Sequence, residues 1–174
     1  FACWQLLGVW EKIESALLEA ADAAGKLSWQ VSVDSTTSRA HVHAAGARHD
    51  SVERIAGEPD HHALGTSRGG WSTKTHVAID QHRGVLSFVL TPGQHGDSPQ
   101  MATVLDGIRI SHPGPGRART RPDRVLADKA YSSRANRVWL RAHGIRATIP
   151  VPDDQAGHRR RKGSRGGRPP SVDA

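Results

Sequence analysis

The 174-residue sequence contains a single cysteine, Cys3, which excludes an internal disulfide framework and a zinc site built on cysteines. It also lacks any apolar run approaching the ~18 residues that a membrane span requires. Its first residues do not show the charged-then-apolar order of a signal peptide. Aromatic residues make up only 5% of the chain, so the predicted core is modest. We expect one domain in the reducing environment of the cytoplasm, with no membrane partner.

Basic residues are abundant and unevenly placed. The chain has 24 Lys+Arg against 17 Asp+Glu, a formal net charge of +7, and most of the excess follows Arg109. Such a balance favours nucleic acid over a membrane surface, because no amphipathic basic helix accompanies it. The run His158–Pro170 has no apolar residue to bury, so we predict that it is disordered unless bound.

Residue periodicity predicts a β-hairpin followed by two helix–strand units. The predicted elements are a helix over 11–24, a strand over 31–34, hairpin arms over 72–80 and 85–91, a helix opened by Ser98-Pro99, a strand ending at Asp128, a helix over 134–143 and a strand over 145–149. This succession is typical of the ribonuclease H-like fold, an α/β fold with a mixed sheet flanked by helices. In that fold the first and fourth strands lie side by side. We predict such a domain over residues 26–156, incomplete at its C-terminus, between a helical segment over 1–25 and a basic disordered tail over 157–174.

Two packing predictions accompany these elements. The second hairpin arm, Val85–Leu90, is apolar at both alternating positions, which predicts a strand covered on both faces. The helix after Asp128 is predicted to begin with Ser132 or Ser133 as its N-cap. Its expected packing positions are the apolar ones, Ala135, Val138, Trp139 and Ala142.

A long polar passage, Ser35–Gly70, shows no regular period and contains five histidines, of which His41 and His43 come first. Loops beyond ~12–15 residues are usually functional or disordered, and we favour a nucleic-acid-facing insertion because the passage directly follows Asp34. A metal site is the weaker interpretation, since the histidines have neither a cysteine partner nor a helical His-x-x-x-His spacing. We expect exposed polar residues, with His41 and His43 facing phosphate.

Two aspartates stand at the ends of the predicted first and fourth strands. Asp34 ends Val31-Ser32-Val33, and Asp128 ends Arg124-Val125-Leu126-Ala127. Neighbouring strands would bring the two carboxylates together, where they would repel unless a cation lay between them. Mg²⁺ (or Mn²⁺) prefers oxygen ligands, and a pair of such ions can clamp the entering and leaving oxygens of a phosphodiester displacement.

A capping role is the commoner interpretation for any single aspartate before Ser or Thr. Two matching sites in one topology shift the balance towards function for Asp34 and Asp128. Asp80 and Asp97 are the competing acids. Because Asp80 enters a hairpin turn and Asp97 precedes a helix, turn and cap roles suffice for them.

Several motifs in combination resemble the DDE transposases of bacterial insertion sequences, specifically the insertion-sequence-five group. They are Val33-Asp34-Ser35-Thr36 with Arg39-Ala40-His41 and Ala44-Ala45-Gly46, Leu64-Gly65-Thr66-Ser67-Arg68-Gly69-Gly70 with Thr73-Lys74, Thr91-Pro92-Gly93-Gln94, and Ala127-Asp128-Lys129-Ala130-Tyr131. The resemblance covers nearly the whole chain.

The resemblance implies a catalytic domain that binds the terminal inverted repeats of a mobile element, cuts DNA with water and joins the 3′-hydroxyl to target DNA. Asp34 and Asp128 would be the first and second catalytic acids and would hold the metal. It implies a nucleoid-associated protein in the cytoplasm, DNA contacts, and an N-terminal DNA-binding segment that ends within residues 1–25. Association with further copies of the chain is left open. The candidate DNA-binding residues are Arg39, His41, Arg68, Lys74, Lys129, Arg159, Arg160, Arg161 and Lys162.

The third acid of the family is the main departure, because no glutamate here stands on a helix beyond the basic run. Glu53 and Glu58 lie in the early insertion instead. We therefore expect a truncated copy that keeps the sheet and some DNA affinity but cleaves poorly or not at all. The alternative to a transposase enzyme is a non-catalytic DNA-binding remnant that interferes with full-length relatives. A ribonuclease H-like nuclease acting on RNA–DNA hybrids is a more distant alternative.

Overall fold

A computed structural model describes residues 2–41, 43 and 60–169 of the chain. The motif Ala44-Ala45-Gly46, Glu53, Glu58 and the last five residues lie outside the described residues. The helices are α1 (Ala2–Leu6), α2 (Val9–Ala23), α3 (Gln100–Asp106), α4 (Arg134–Ala142) and α5 (Asp153–Arg161). The strands are β1 (Gln30–Arg39), β2 (Gly65–Ser67), β3 (Gly70–Asp80), β4 (Val85–Pro92), β5 (Arg124–Ala127) and β6 (Arg146–Thr148).

The strands form one six-stranded mixed sheet in which β3, β1, β5 and β6 are successive neighbours. β4 pairs antiparallel with β3 along most of its length, and the short β2 pairs with the start of β3. β1 pairs antiparallel with β3 and parallel with β5, and β5 pairs parallel with β6. The predicted ribonuclease H-like mixed sheet flanked by helices is confirmed, including the adjacency of its first and fourth full-length strands.

β1 is longer than the sequence predicts. The predicted strand stops at Asp34, but β1 continues to Arg39, and this second half pairs with β3 as far as Ser72. The interpretation of 35–70 as an insertion without regular structure is therefore wrong at both of its ends. The added strand residues are mainly Ser and Thr on both faces, so they carry no hydrophobic alternation, and the strand is held by pairing with β3.

The core lies between the sheet and α3 and α4. It contains Trp29, Val31, Val33, Ala78, Leu86, Met101, Val104, Leu105, Ile108, Ile110, Val125, Tyr131, Leu140, Ile145 and Ile149. The predicted face of α3, with Met101, Val104, Leu105 and Ile108, is confirmed as buried. α3 begins after Pro99, and no side chain caps its first turn.

The prediction that β4 is covered on both faces is wrong. Leu86 is buried, but Val85 and Phe88 are 42% and 53% exposed. α2 lies beside the β3–β4 hairpin and leaves an open apolar groove that both residues line. One face of β4 thus packs in the core while the other is only partly covered.

α4 begins with Ser133, whose hydroxyl accepts a hydrogen bond from the Asn136 N–H at 3.1 Å, as one of the two predicted caps. Its predicted packing face is wrong at Ala135, Val138 and Ala142, which are exposed, and right at Trp139, which packs against the core. The buried residues are Asn136 and Leu140, whereas Val138 is 52% exposed. Asn136 can be buried because its amide nitrogen donates to Ser98 and to the carbonyl oxygen of Tyr131.

The basic run is not an irregular tail in its described part. α5 occupies Asp153–Arg161, and a 3₁₀ turn follows over Gly163–Gly166. Acidic residues fill the first turn of α5 and basic residues the last, which is the favourable arrangement for the helix dipole. This local charge order supports a helix without apolar burial. None of the helices within the described ranges has the length and apolarity needed to cross a bilayer.

Candidate active site

The sheet brings the two predicted catalytic acids to neighbouring strands. Val33 on β1 pairs with Ala127 on β5 in the parallel ladder. Asp34 and Asp128 each follow one residue later, and backbones paired in this way lie about 4.8 Å apart. Both side chains are exposed. The arrangement places both acids at the edge where the pairing of β1 with β5 ends.

Each acid is held by a local hydrogen bond. Asp34 Oδ1 accepts from the Ser35 N–H at 2.7 Å, and Asp128 Oδ1 accepts from the Ala130 N–H at 2.9 Å, which caps a 3₁₀ turn over Lys129–Tyr131. Within the described residues, the second oxygen of each carboxylate has no hydrogen-bond partner. Because carboxylate oxygens are the ligands that Mg²⁺ prefers, these two side chains fit a divalent cation.

A third acid is not brought to this edge by the residues that the structure describes. Among them, no group of three or more His, Cys, Asp or Glu side chains is arranged to hold a metal ion. The described part of the site therefore has two carboxylates, and other ligands would have to come from water or substrate.

Asp97 does not have the cap role that the sequence suggests. Its Oδ1 accepts from the Ser35 hydroxyl at 2.7 Å and from Lys74 Nζ at 2.9 Å. Lys74 Nζ also donates to the carbonyl oxygen of His95 at 2.9 Å, and its side chain is only 15% exposed. Lys74 Nζ therefore makes both of these contacts inside the protein, and its DNA contact stays a prediction.

The alternation of side chains along β3 indicates that Lys74 needs a partner inside the protein. Every second residue of a strand points to the same face, so Lys74 and His76 share a face of β3 with Ala78, which is in the core. A lysine on that face needs a partner of opposite charge, which the loop before α3 supplies as Asp97. The sequence does not show which acid would reach it, because Asp97 is distant along the chain.

Burial and charge act together on the groups around Asp97. Burial lowers the pKa of His76, with the charge of Asp97 opposing this effect and Lys74 adding to it. Burial raises the pKa of Asp97, but hydrogen bonds from Ser35 and Lys74 and the charge of Lys74 outweigh it, so the net pKa is lowered. At neutral pH the cluster thus contains a neutral His76 and an ionised Asp97.

Tyr131 follows Asp128 by three residues and belongs to the core, where it is 2% exposed. Burial raises the pKa of its hydroxyl, as do the charges of Asp97, Asp34 and Asp128, while the Ser35 hydroxyl has the opposite effect. The hydroxyl therefore stays protonated at neutral pH, and the negative charges of all three carboxylates favour this state.

Asp80 has the turn role that the sequence predicts. Its carboxylate accepts from the N–H groups of Ser28, His82 and Gly84. Because these bonds close the β3–β4 turn and the entry to β1, Asp80 is a structural residue.

Three predicted DNA-binding residues lie at the far end of β1 and in the β2–β3 turn. Arg39 ends β1 and packs its guanidinium against Gly69, and Arg68 is exposed in the turn. His41 is also exposed, and its ring lies 5.0 Å from that of His43. β1 and β3 extend beyond the end of β5, so these residues form an arm that projects past the acid-bearing edge.

The other predicted DNA-binding residues follow the second acid. Lys129 is exposed in the turn after Asp128. α5 is attached to the same segment, since Gln155 Nε2 donates to the carbonyl oxygen of Ser132 at 3.0 Å. Its last turn carries Arg159, Arg160 and Arg161, and Lys162 follows; all but the half-buried Arg159 are exposed.

The family described as "Transposase DDE domain" matches residues 26–172 of the chain. No curated protein gives a significant match. Among solved structures, "Mos1 transposase paired-end complex with left transposon end" is similar, with 16% identity and a TM-score of 0.39. The match covers 82% of this chain and 41% of that one, so the chain spans about two fifths of that protein's length.

Proposed function

The chain belongs to the transposase DDE domain family, and from this membership we propose that its acid-bearing edge cleaves and transfers DNA strands at the ends of a mobile element. The observation that carries the proposal is the parallel pairing of Val33 with Ala127, the residues directly before Asp34 and Asp128. We further propose that the element is a bacterial insertion sequence of the insertion-sequence-five group, because the motifs along the chain resemble that group.

Asp34 and Asp128 would hold Mg²⁺ or Mn²⁺ through the carboxylate oxygens that point away from their local hydrogen bonds. The bound ions would supply Lewis-acid stabilisation of the entering and leaving oxygens in phosphodiester displacement. The Ser35 and Ala130 N–H groups orient the two carboxylates, as the outer partners of metal ligands generally do.

DNA is the partner that this function requires. The arm with Arg39, His41 and Arg68 lies beyond Asp34 at the end of β1, and Lys129 and α5 follow Asp128. We propose that these side chains contact phosphates of the inverted repeats and of target DNA. A DNA-binding role for residues 1–25, association of several copies and a location at the nucleoid belong to the same proposal.

A second candidate is a DNA-binding remnant that does not cleave. It is favoured because, among the described residues, the two carboxylates are not joined by a third acidic or histidine side chain that could complete a metal site. Such a protein would occupy transposon ends and would interfere with a full-length relative that shares them.

Cleavage in the presence of Mn²⁺ separates the two candidates. The chain is incubated with labelled DNA from the ends of its element and with supercoiled plasmid, beside Asp34→Asn and Asp128→Asn variants. We expect Mn²⁺ binding, followed by electron paramagnetic resonance, to fall by at least about 10-fold in either variant, since each removes a charged ligand. Ser38→Ala, an exposed change on the same strand, is the control.

Metal-dependent nicking that disappears in both variants establishes the enzyme. DNA binding without nicking, at the same Mn²⁺ concentration, selects the remnant. Unchanged Mn²⁺ affinity in both aspartate variants would contradict the metal site itself.

A further inference from the structure

The cluster of Ser35, Lys74, His76 and Asp97 lies on the opposite side of β1 from the Asp34 side chain. Ser35 and Asp34 are successive strand residues and so point to opposite faces. Opposite Ser35 on β3 is His76, whose Nε2 lies 2.8 Å from the Thr91 hydroxyl and whose Nδ1 lies 3.8 Å from Asp97 Oδ1. We call Ser35, Lys74, His76 and Asp97 the buttress cluster.

The loop that carries Asp97 is fixed on β2 and β3 by two close approaches. A Cβ atom on Gly93 would overlap the Ser72 hydroxyl, and one on Gly65 would overlap the side chain of Gln94. The Gly93 N–H donates to the Ser72 carbonyl oxygen at 3.1 Å. Together with the bond from Lys74 to the His95 carbonyl oxygen, these interactions deliver Asp97 to Ser35.

β1 needs such support at this point because the pairing on one of its sides ends there. Pairing with β5 stops at Val33 and Ala127, one residue before Asp34. From Asp34 onwards β1 is paired with β3 alone. The bond from the Ser35 hydroxyl to Asp97 at 2.7 Å anchors the strand there, while the Ser35 N–H donates to Asp34 Oδ1 at 2.7 Å.

We propose that Asp97 is a positioning residue, which acts through Ser35 to hold Asp34 in its metal-binding orientation. The inference rests on the proposed function, because it assumes that Asp34 binds the metal. Asp97 is not itself a ligand in this arrangement. Asp97 Oδ1 accepts hydrogen bonds from Ser35 and Lys74, and the Asp97 side chain lies on the core side of β1.

The test measures Mn²⁺ affinity of the whole chain by electron paramagnetic resonance, so it does not depend on cleavage. Ser35→Ala removes the link but keeps the pair between Asp97 and Lys74. We expect its Mn²⁺ dissociation constant to rise about 10-fold, the lower end of the range for outer partners of metal ligands. Ser35→Thr keeps the hydroxyl on a strand-favouring residue and should restore the affinity. Ser38→Ala is again the control.

A double-mutant cycle tests whether Ser35 works through Asp97. Asp97→Ala should weaken Mn²⁺ binding by a similar factor, and the Ser35→Ala, Asp97→Ala double variant should be no weaker than the worse single variant. If Asp97→Ala does not fold, as judged by its urea midpoint, the cycle is run in a Lys74→Met background, which removes the charge that Asp97→Ala leaves unpaired. Effects that multiply in the double variant, or a Ser35→Ala variant that matches Ser38→Ala, overturn the proposal.

Asp34→Asn separates this proposal from the proposed function. If Asp34→Asn lowers Mn²⁺ affinity and Ser35→Ala does not, only the positioning role of Asp97 fails. If Asp34→Asn leaves the affinity unchanged, both fail, since Asp34 is then no ligand.

Discussion

His76 shows how a single residue is constrained by its place on a strand face. It is fully buried, and its ring is held by the Thr91 hydroxyl on one side with Asp97 beyond its other nitrogen. Lys74 lies two residues away on the same face, so a second positive charge at His76 would be unfavourable. Burial and this neighbour keep the ring neutral, so Lys74 supplies the positive charge opposite Asp97.

The lowered pKa of His76 predicts a loss of stability at mildly acidic pH. An unfolded histidine has a pKa of about 6.5, whereas burial keeps the folded value below this. As the pH falls below about 6.5, the unfolded chain takes up a proton that the folded chain does not, so the free energy of unfolding decreases by at most about 1.4 kcal/mol per pH unit. His76→Gln should show a shallower decrease.

Urea denaturation at about pH 7.5 and about pH 5.5, on either side of the histidine pKa, measures this difference. His112→Gln, at an exposed histidine, is the control. If the His76→Gln variant and the unsubstituted chain lose the same free energy of unfolding between the two pH values, a lowered pKa of His76 in the folded chain is contradicted.

Asp80 and Asp97 show which residue roles the sequence could predict. Two of the three N–H donors to Asp80 lie within four residues of it, so the turn Gln81-His82-Arg83-Gly84 was sufficient to predict its role. The partners of Asp97 are 23 and 62 residues away. Its role depends on strand pairing and on a loop packed against β3, which no local pattern specifies.

At the scale of elements, the strands with hydrophobic alternation were predictable and the polar ones were not. The β3–β4 hairpin, with Val77 and Ile79 alternating with other residues, is confirmed. The second half of β1 was missed because Thr36, Thr37 and Ser38 have no apolar face. The pairing of the two strands that lead to Asp34 and Asp128 is nevertheless predicted correctly, because it requires only the first half of β1.

α4 gives an element-scale prediction, since its packing face differs from its apolar positions. Leu140 is 1% exposed and Val138 is 52% exposed. Leu140→Ala should therefore lower the free energy of unfolding by about 2–5 kcal/mol, the cost of a cavity in a packed core. Val138→Ala should change it by less than about 0.5 kcal/mol. Urea denaturation compares the two variants, and similar losses in both would favour the face predicted from apolar residues alone.

At the scale of the whole molecule, positive charge is concentrated on one part of the chain. α2 carries Glu11, Glu14, Glu19 and Asp22 with Lys12 as its one basic residue, so the net charge of +7 arises from the residues that follow. The hydrogen bond between Gln155 and Ser132 ties the basic α5 to the segment after Asp128. A DNA strand at the acids would therefore meet positive charge as it leaves them.

The salt dependence of DNA binding tests whether DNA runs from the acids along the basic end of α5. Replacing Arg159, Arg160, Arg161 and Lys162 by Gln removes the charge while keeping good helix formers in α5. The slope of log K against log salt should become shallower by about 0.9 for each phosphate that these side chains neutralise, and by at most about 3.6 if all four do so. Fluorescence anisotropy with a labelled duplex between about 50 and about 200 mM salt, the range over which such slopes have large effects, gives the slope.

The control for this variant replaces Lys26 and Arg83, two exposed basic residues far from α5 along the chain, by Gln. It removes positive charge outside the proposed DNA-binding residues and leaves α5 intact, so its slope should stay close to that of the unsubstituted chain. A difference between the two variants would therefore locate phosphate contacts at the end of α5, and not in the net charge of the protein. If both variants keep the slope of the unchanged chain, α5 does not contact DNA, and the path must run along the arm with Arg39 and Arg68.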